Sequence, residues 1–298
     1  MMPTKTKATE VHNTRELEGD EAWAVLKRVR YVPLAKKSIQ RFRDASGMAY
    51  ARAIGFQIML AALPALIFAV ALATWTDIDS VRTSIESVVS SVTPGSSSDG
   101  LVQQAVRQGE QNANGNTLAL VFGGLAALFS GTAGMAQFMQ SASRIYGTDQ
   151  DRSFWRRYGV GLLLALTAGI LLGGAFVAVA FGTGIAEAVE GESIWAWARW
   201  PLAVVGVIVA LSVLYKVAPN RDQPDVSWLL VGGITATVLW ILLSLGLALY
   251  LSLSSTFGDT YGPVAGLIGL ALWAQLSGIA AILGMAFAAQ LEAEAASG

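Results

Sequence analysis

VSWLLVGGITATVLWILLSLGLALYLSLSSTFG, residues 226–258, runs for 33 residues without a charged side chain. A bilayer core needs roughly 20 apolar residues per helix. So long a run, without the period-two alternation of a strand, reads as a helix whose solvent is hydrocarbon. Five more uncharged runs flank it, at 53–76, 117–143, 158–186, 200–215 and 260–291. The expectation is an all-α membrane protein built as a six-transmembrane-helix bundle, with spans near 53–76, 117–143, 158–186, 200–215, 226–253 and 262–291.

Composition agrees. Hydrophobic residues make up 54% of the 298 and the mean hydropathy is +0.52. Charged residues make up 14%, against roughly 25% in a soluble domain. The net charge of −1 gives no overall basic field for holding nucleic acid. The absence of cysteine removes disulfides, thiolate metal sites and cysteine nucleophiles.

The charges that remain sit between the runs and orient the chain. Alternate segments beginning with 1–52 carry 17 Lys and Arg, and the intervening segments carry 3. The positive-inside rule then puts both termini in the cytoplasm. The shortest run, 200–215, opens at Pro201, with Trp195, Trp197 and Trp200 crowding its outer end as an interfacial belt. A re-entrant segment is the alternative there.

Outside the spans, residues 1–19 are polar and expected to be disordered. Across 20–52, Trp23, Leu26 and Val29, then Leu34, Ile39 and Phe42, recur at helical spacing, with Pro33 breaking the run. Lys36, Lys37, Arg41 and Arg43 accompany the second piece. This reads as an amphipathic N-terminal helix on the inner leaflet, turning through an elbow near Ala45–Gly47 into the first span. The alternative is a solvated juxtamembrane helix.

The long outside connection, 77–116, carries Ile78, Val81, Ile85, Val88 and Val92 at steps of three and four. Pro94-Gly95 and three serines break it, and Asp99 can cap a second piece. The expectation is an outer helical hairpin, either a cover for apolar helix ends or a lid over a cavity. Residues 292–298 are expected to form a short tail. Small residues at a spacing of four (Ala127 and Gly131; Ala165, Gly169 and Gly173; Gly262 and Gly266) predict close helix packing.

No Asp, Glu, Lys, Arg or His lies inside any run. Ion-coupled carriers and proton pumps keep such groups at depth, so a carboxylate relay is disfavoured and non-ion-coupled transport is not. Polar residues in the runs, and Arg144 just past the second, suggest a candidate substrate lining. Gln137, Gln140 and Arg144, spaced i, i+3, i+7, share a face; Gln57 and Gln275 supply two more amides. One reading is a vestibule for an anionic head group, with Arg144 as its anchor. The other has Arg144 snorkelling to phosphates while the glutamines bond between helices.

No catalytic set is assembled. His12 is the single histidine and lies far from every span, so neither a zinc hydrolase nor a Ser–His–Asp triad can be built on it. The pairs Asp77/Asp79 and Asp149/Asp151 are short acidic pairs of a kind common in solvated loops. The reading is no enzyme, no metal and no cofactor. Membrane lipid and a lipid-like or anionic substrate are the expected partners, with no nucleic acid.

These landmarks, in order, resemble the YihY/BrkB family of bacterial inner-membrane proteins over roughly 30–292. The resemblance rests on Asp44, then Gly55-Phe56-Gln57 through Leu63-Pro64, then Arg144-Ile145-Tyr146-Gly147 with Phe154-Trp155-Arg156. It continues through Tyr215-Lys216-Val217-Ala218-Pro219-Asn220, Tyr250, Thr260-Tyr261-Gly262, Leu272-Trp273 and Leu283-Gly284. Ser143 stands where the family often has Asn, and Ala286 where it often has Glu. The family has carried a ribonuclease BN label, for which these residues supply neither metal ligands nor a basic RNA-binding surface. The resemblance implies a six-helix, multi-pass bacterial inner-membrane bundle whose function is poorly defined across the family, with transport or export of an envelope component the reading that fits it best. The uncharged core and the Gln137/Gln140/Arg144 face point to a non-ion-coupled transporter or flippase-like exporter of an amphipathic or anionic envelope component. The competitor is a non-transporting scaffold, dimeric or otherwise homo-oligomeric, that binds partners through its amphipathic helix and outer hairpin. A nuclease ranks last.

Overall fold

The computed structural model describes residues 10–11, 17, 21–75, 117–148, 152–188, 192–254 and 264–296. The expected outer hairpin at 77–116, His12 and the acidic pairs Asp77/Asp79 and Asp149/Asp151 lie outside the described residues. Among those residues all regular structure is helical: α1 (Glu21–Val29), α2 (Tyr31–Asp44), α3 (Gly47–Trp75), α4 (Thr117–Ile145), α5 (Phe154–Ala188), α6 (Glu192–Val217), α7 (Val226–Leu253) and α8 (Ala265–Ala296). In hydrocarbon an unpaired backbone group is costly, and a helix satisfies each of its own. Among the described residues four stretches are long and apolar enough to cross a membrane: Gly47–Phe68, Val121–Ile145, Val226–Leu253 and Ala265–Ala296.

Two boundaries fall elsewhere than the sequence suggested. The break between α1 and α2 is at Arg30, whose φ of 63° is left-handed. Pro33 sits inside the first turn of α2, where its missing N–H removes no intrahelical bond. Pro201 does not open its helix, because α6 starts at Glu192 and carries Pro201 internally. The 26 residues of α6 extend about 39 Å.

Helices α3 to α8 pack in chain order as a ring, and α8 closes it against α3. Glycines permit the closest approaches. A methyl at Gly55 (α3) would stand 2.7 Å from the Gln275 Cα, and one at Gly284 (α8) 2.7 Å from the Gly232 carbonyl oxygen. Gly131 meets Ala165 in the α4–α5 seam, as a small-residue stripe should, whereas Gly169 faces open space. Two reciprocal bonds pin α7 to α8: Trp240 Nε1 donates to Ser277 Oγ at 3.0 Å, and Trp273 Nε1 to Ser244 Oγ at 3.2 Å.

The two ends of the ring differ. At the end that holds α1 and α2, called basal here, the centre is filled. Phe138 stacks on Tyr215 at 6.2 Å, and the Tyr215 hydroxyl donates to the Ala281 carbonyl at 2.7 Å, crossing from α6 to α8. Toward the other end packing thins. In α4 no residue from Val121 to Met135 is buried, whereas Ala136, Phe138, Met139, Ser141, Ala142, Ser143 and Ile145 are. In α6 none of 201–209 is buried, and in α7 burial is dense from Trp228 to Thr237 but beyond that reaches only Leu247.

The apolar stripe of α1–α2 finds protein rather than solvent. Ala22, Leu26 and Leu34 bury against Trp228 and Val231 of α7 and Phe287 and Leu291 of α8. Each buried leucine contributes about 1.5–3 kcal/mol, enough to hold this pair of short helices to the bundle. A second row, Trp23, Tyr31, Val32 and Ile39, stays exposed, so only that row is free to face a bilayer.

Candidate functional site

The end of α8 carries a charge in the phase of a buried stripe. Met285, Ala288, Ala289 and Glu292 lie one or two turns apart on one face, and Glu292 is fully buried. A lone carboxylate there would be prohibitive, and both its oxygens are taken. The Tyr146 hydroxyl donates to Oε1 at 2.9 Å, and Arg221 Nη2 donates to Oε2 at 3.0 Å. The Arg221 guanidinium also lies 4.5 Å over the Tyr146 ring and donates Nη1 to the Val11 carbonyl at 3.4 Å. Burial, then the charge of Glu292, pushes the Tyr146 phenol well above its ordinary value. It therefore stays neutral and acts as a donor.

A parallel tie runs from α2. Arg41, itself buried, donates Nε to Gln290 Oε1 at 3.0 Å and Nη1 to the Ile145 carbonyl at 2.9 Å. Desolvation draws its guanidinium down from the ordinary arginine value, and the neighbouring Tyr146 and Glu292 offset part of that. Gln290 Nε2 and Lys37 Nζ both donate to Glu294 Oε1, at 3.0 and 2.6 Å. Arg152, just before α5, binds the α6 C-terminus, donating to the carbonyls of Val217 (2.8 Å), Ala218 (2.7 Å) and Pro219 (3.3 Å). These are end-of-helix carbonyls with no intrahelical donor, and a cation also suits the helix dipole there. The network thus joins α2, α4, α8, both basal loops and the segment at Val11. It works as a closure of the basal end.

Beside it lies a cavity of about 870 Å³. Its charged lining is Arg152, Arg156, Lys216 and Arg221 against Glu10 and Asp222. Among the described residues, no group of three or more His, Cys, Asp or Glu stands together as a metal site would need.

The residues singled out from sequence fall partly together. Gln57 packs its Cβ near Gly134, at 3.3 Å from where a methyl on that glycine would stand, and the backbone of Gln275 lies against Gly55. Gln57 thus stands at the α3–α4 seam and Gln275 at the α3–α8 seam, both half-buried. Gln137 and Gln140 are half-buried one and two turns further along α4 from Gly134, and Arg144 is exposed at the basal end of the same helix. None of the five lines the basal cavity. Sequence reasoning misses the network of Arg41, Tyr146, Arg152, Arg221 and Glu292. Tyr146 is legible there only as part of a motif, and Glu292 only through its phase on α8.

The order of these elements can now be set against known proteins. A family model described as "Virulence factor BrkB" matches residues 38–298. The chain belongs to the BrkB family. The match takes in α2 from Ser38, all of the ring and the closing network except Lys37 and the segment at Val11. Among curated relatives, this BrkB-family chain is 29% identical over 259 residues to the ribonuclease-like protein YfkH of Bacillus subtilis, covering 84% of the chain and 91% of that protein. It is 28% identical over 155 residues to a UPF0761 membrane protein of Alteromonas mediterranea (51% of the chain, 52% of that protein). It is 31% identical over 152 residues to a UPF0761 membrane protein of Aromatoleum aromaticum (50% and 37%). No solved structure gives a significant match. The molecule is a helical membrane protein of this family.

Proposed function

We propose that this chain is a six-span, non-ion-coupled transporter or flippase-like exporter of an amphipathic, anionic envelope component, and not an enzyme. On this reading α3 to α8 all cross the bacterial inner membrane, the basal end faces the cytoplasm and both termini lie there. The excess of Lys and Arg on the basal segments supports that orientation. The observation that carries the transport reading is the contrast between the ring's two ends. One end is sealed by aromatic stacking and a buried ion pair, while α4 and α6 lose burial toward the other. A carrier resting in an outward-open state has that form. Gln57, Gln137, Gln140 and Gln275 would line the path, and Arg144 would hold the anionic head group.

Replacing Arg144 with Ala tests the assignment. The expected result is loss of complementation of a deletion phenotype, with expression and the detergent elution profile unchanged. Full complementation by Arg144→Ala removes the lining hypothesis. One observation favours the scaffold alternative: the exposed row Trp23, Tyr31, Val32 and Ile39 leaves an apolar surface for a partner. A variant with charged residues placed in that row that still complements would remove that alternative.

A further inference from the structure

We propose that the basal cavity binds a phosphate-bearing anion at the depth of the lipid head groups. The site is separate from the Gln137/Gln140/Arg144 face and stands independently of the transport reading. Among the described residues its charged lining carries four cations and two carboxylates; with Arg221 paired to Glu292, Arg152, Arg156 and Lys216 still outnumber Glu10 and Asp222.

Two of those cations are fixed in place. Arg152 is held by three carbonyls, and Arg221 by Glu292 and the Tyr146 ring. A cation held in position loses little conformational freedom when an anion arrives. The other two, Arg156 and Lys216, are exposed at the rim, where their side chains can close over a ligand. The carbonyl end of α6, which would repel an anion, is neutralised by Arg152. The cavity wall also includes Arg152 and Arg156, which bracket the start of the 35-residue α5. The N-terminus of α5, which carries the positive end of the helix dipole, therefore lies beside the space.

Depth follows from the same residues. Lys216 directly follows the uncharged run 200–215, and Arg156 lies just before the run that starts at 158. These are the positions where hydrocarbon gives way to head groups. Next to them Phe154, Trp155 and Tyr158 form an aromatic cluster, with ring centroids 5.4 Å (Phe154–Trp155) and 4.7 Å (Phe154–Tyr158) apart. Phe154 and Trp155 are exposed, as interfacial aromatics are. The volume, about 870 Å³, is in the range of sites for whole small molecules, roughly 300–1,000 Å³. It exceeds what a single phosphate needs and suits a glycerophosphate head group or a diphosphate. Basic pockets at this level of a membrane protein recognise such head groups.

The test uses the full-length protein in phosphatidylcholine nanodiscs, with radiolabelled pyrophosphate as the probe. Saturable binding is expected. R156Q/K216Q should weaken it about a hundredfold, which is about tenfold for each charge-assisted hydrogen bond removed. K36Q/R43Q, which removes two cations outside the cavity, should leave it unchanged. D222N should tighten binding several-fold, which keeps the proposal testable if the double variant misfolds. Repeating the measurement in nanodiscs containing phosphatidylglycerol separates the sources of the ligand. Suppression of pyrophosphate binding identifies a bilayer head group as the occupant, and unchanged binding identifies a soluble phosphate compound. The proposal is overturned if the wild-type protein shows no saturable binding in either bilayer. Equal binding by the wild-type protein, R156Q/K216Q and D222N overturns it as well. Neither result depends on whether Arg144→Ala transports.

Discussion

The ion pair between Arg221 and Glu292 offers a quantitative test of the basal closure. The two side chains are 7% and 0% exposed and 3.0 Å apart. Removing one partner of a buried pair costs about 3–5 kcal/mol, because the other charge is left without compensation. Here the survivor is not wholly abandoned. In Glu292→Gln, Arg221 keeps the Tyr146 ring and the Val11 carbonyl. The expected loss is therefore at the low end, about 3 kcal/mol. In Arg221→Gln, Glu292 keeps the Tyr146 hydroxyl, and the same order of loss is expected. The double variant replaces a charged pair with two amides that can bond to each other, so it should be no worse than either single change. The resulting coupling is about 3 kcal/mol or more. At about 2 °C per kcal/mol for a chain of this size, each single variant melts about 6 °C lower. Fluorescence-monitored thermal unfolding of the detergent-purified protein measures all four corners of the cycle. Additive losses, or single variants within about 1 °C of the parent, would show that the pair does not hold the closure together.

Two further outcomes follow from the same geometry. The Tyr146 phenol titrates above its ordinary value of 10 in the folded protein. Its contribution to stability is therefore complete below that pH and is lost as pH rises beyond it, because the unfolded phenol ionises first. Tyr146→Phe should lower the unfolding midpoint at neutral pH, by about 1.5–3 kcal/mol for one bond to a charged acceptor, and flatten the decline above the ordinary phenol value; an unchanged alkaline limb in a pH series would exclude this. Gly284→Ala should cost about 1–3 kcal/mol by forcing α7 and α8 apart, since the new methyl would meet Ala236 Cβ at 2.5 Å. Gly169→Ala, with nothing within 4 Å, should be neutral or stabilising by up to about 1 kcal/mol, and equal thermal shifts for the two variants would contradict the packing described.

Local pattern carries the helices and little of their assembly. Charge-free runs announce α3, α4, α7 and α8 because hydrocarbon leaves no other way to satisfy a backbone. Pro33 and Pro201 mislead as boundary marks. A first-turn proline removes no bond, and the breaks at Arg30 and before Glu192 depend on a left-handed residue and on the helix's polar extension. The amphipathic pattern of α1 and α2 is visible, but the same stripe serves a leaflet or a protein groove, and only the position of Trp228 and Phe287 decides between them. The closing network is hidden for a different reason. Arg41, Tyr146, Arg221 and Glu292 are solitary in sequence and meet only when the ring forms. Glu292 does leave a trace: it continues the phase of Met285, Ala288 and Ala289, and a charge in a buried phase needs a partner from elsewhere.

The position of α8 has a consequence for biosynthesis. It follows every other described helix in the chain, yet it is the piece that touches α2, α3 and α7. On the six-span reading, until the ribosome has delivered it, α3 to α7 wait in the bilayer with their glycine-lined faces unmatched and Arg221 without its carboxylate. Assembly of the ring must then be completed after insertion and not span by span. On the six-span reading, a chain cut short before α8 would present quality-control proteases with five inserted helices and no keystone.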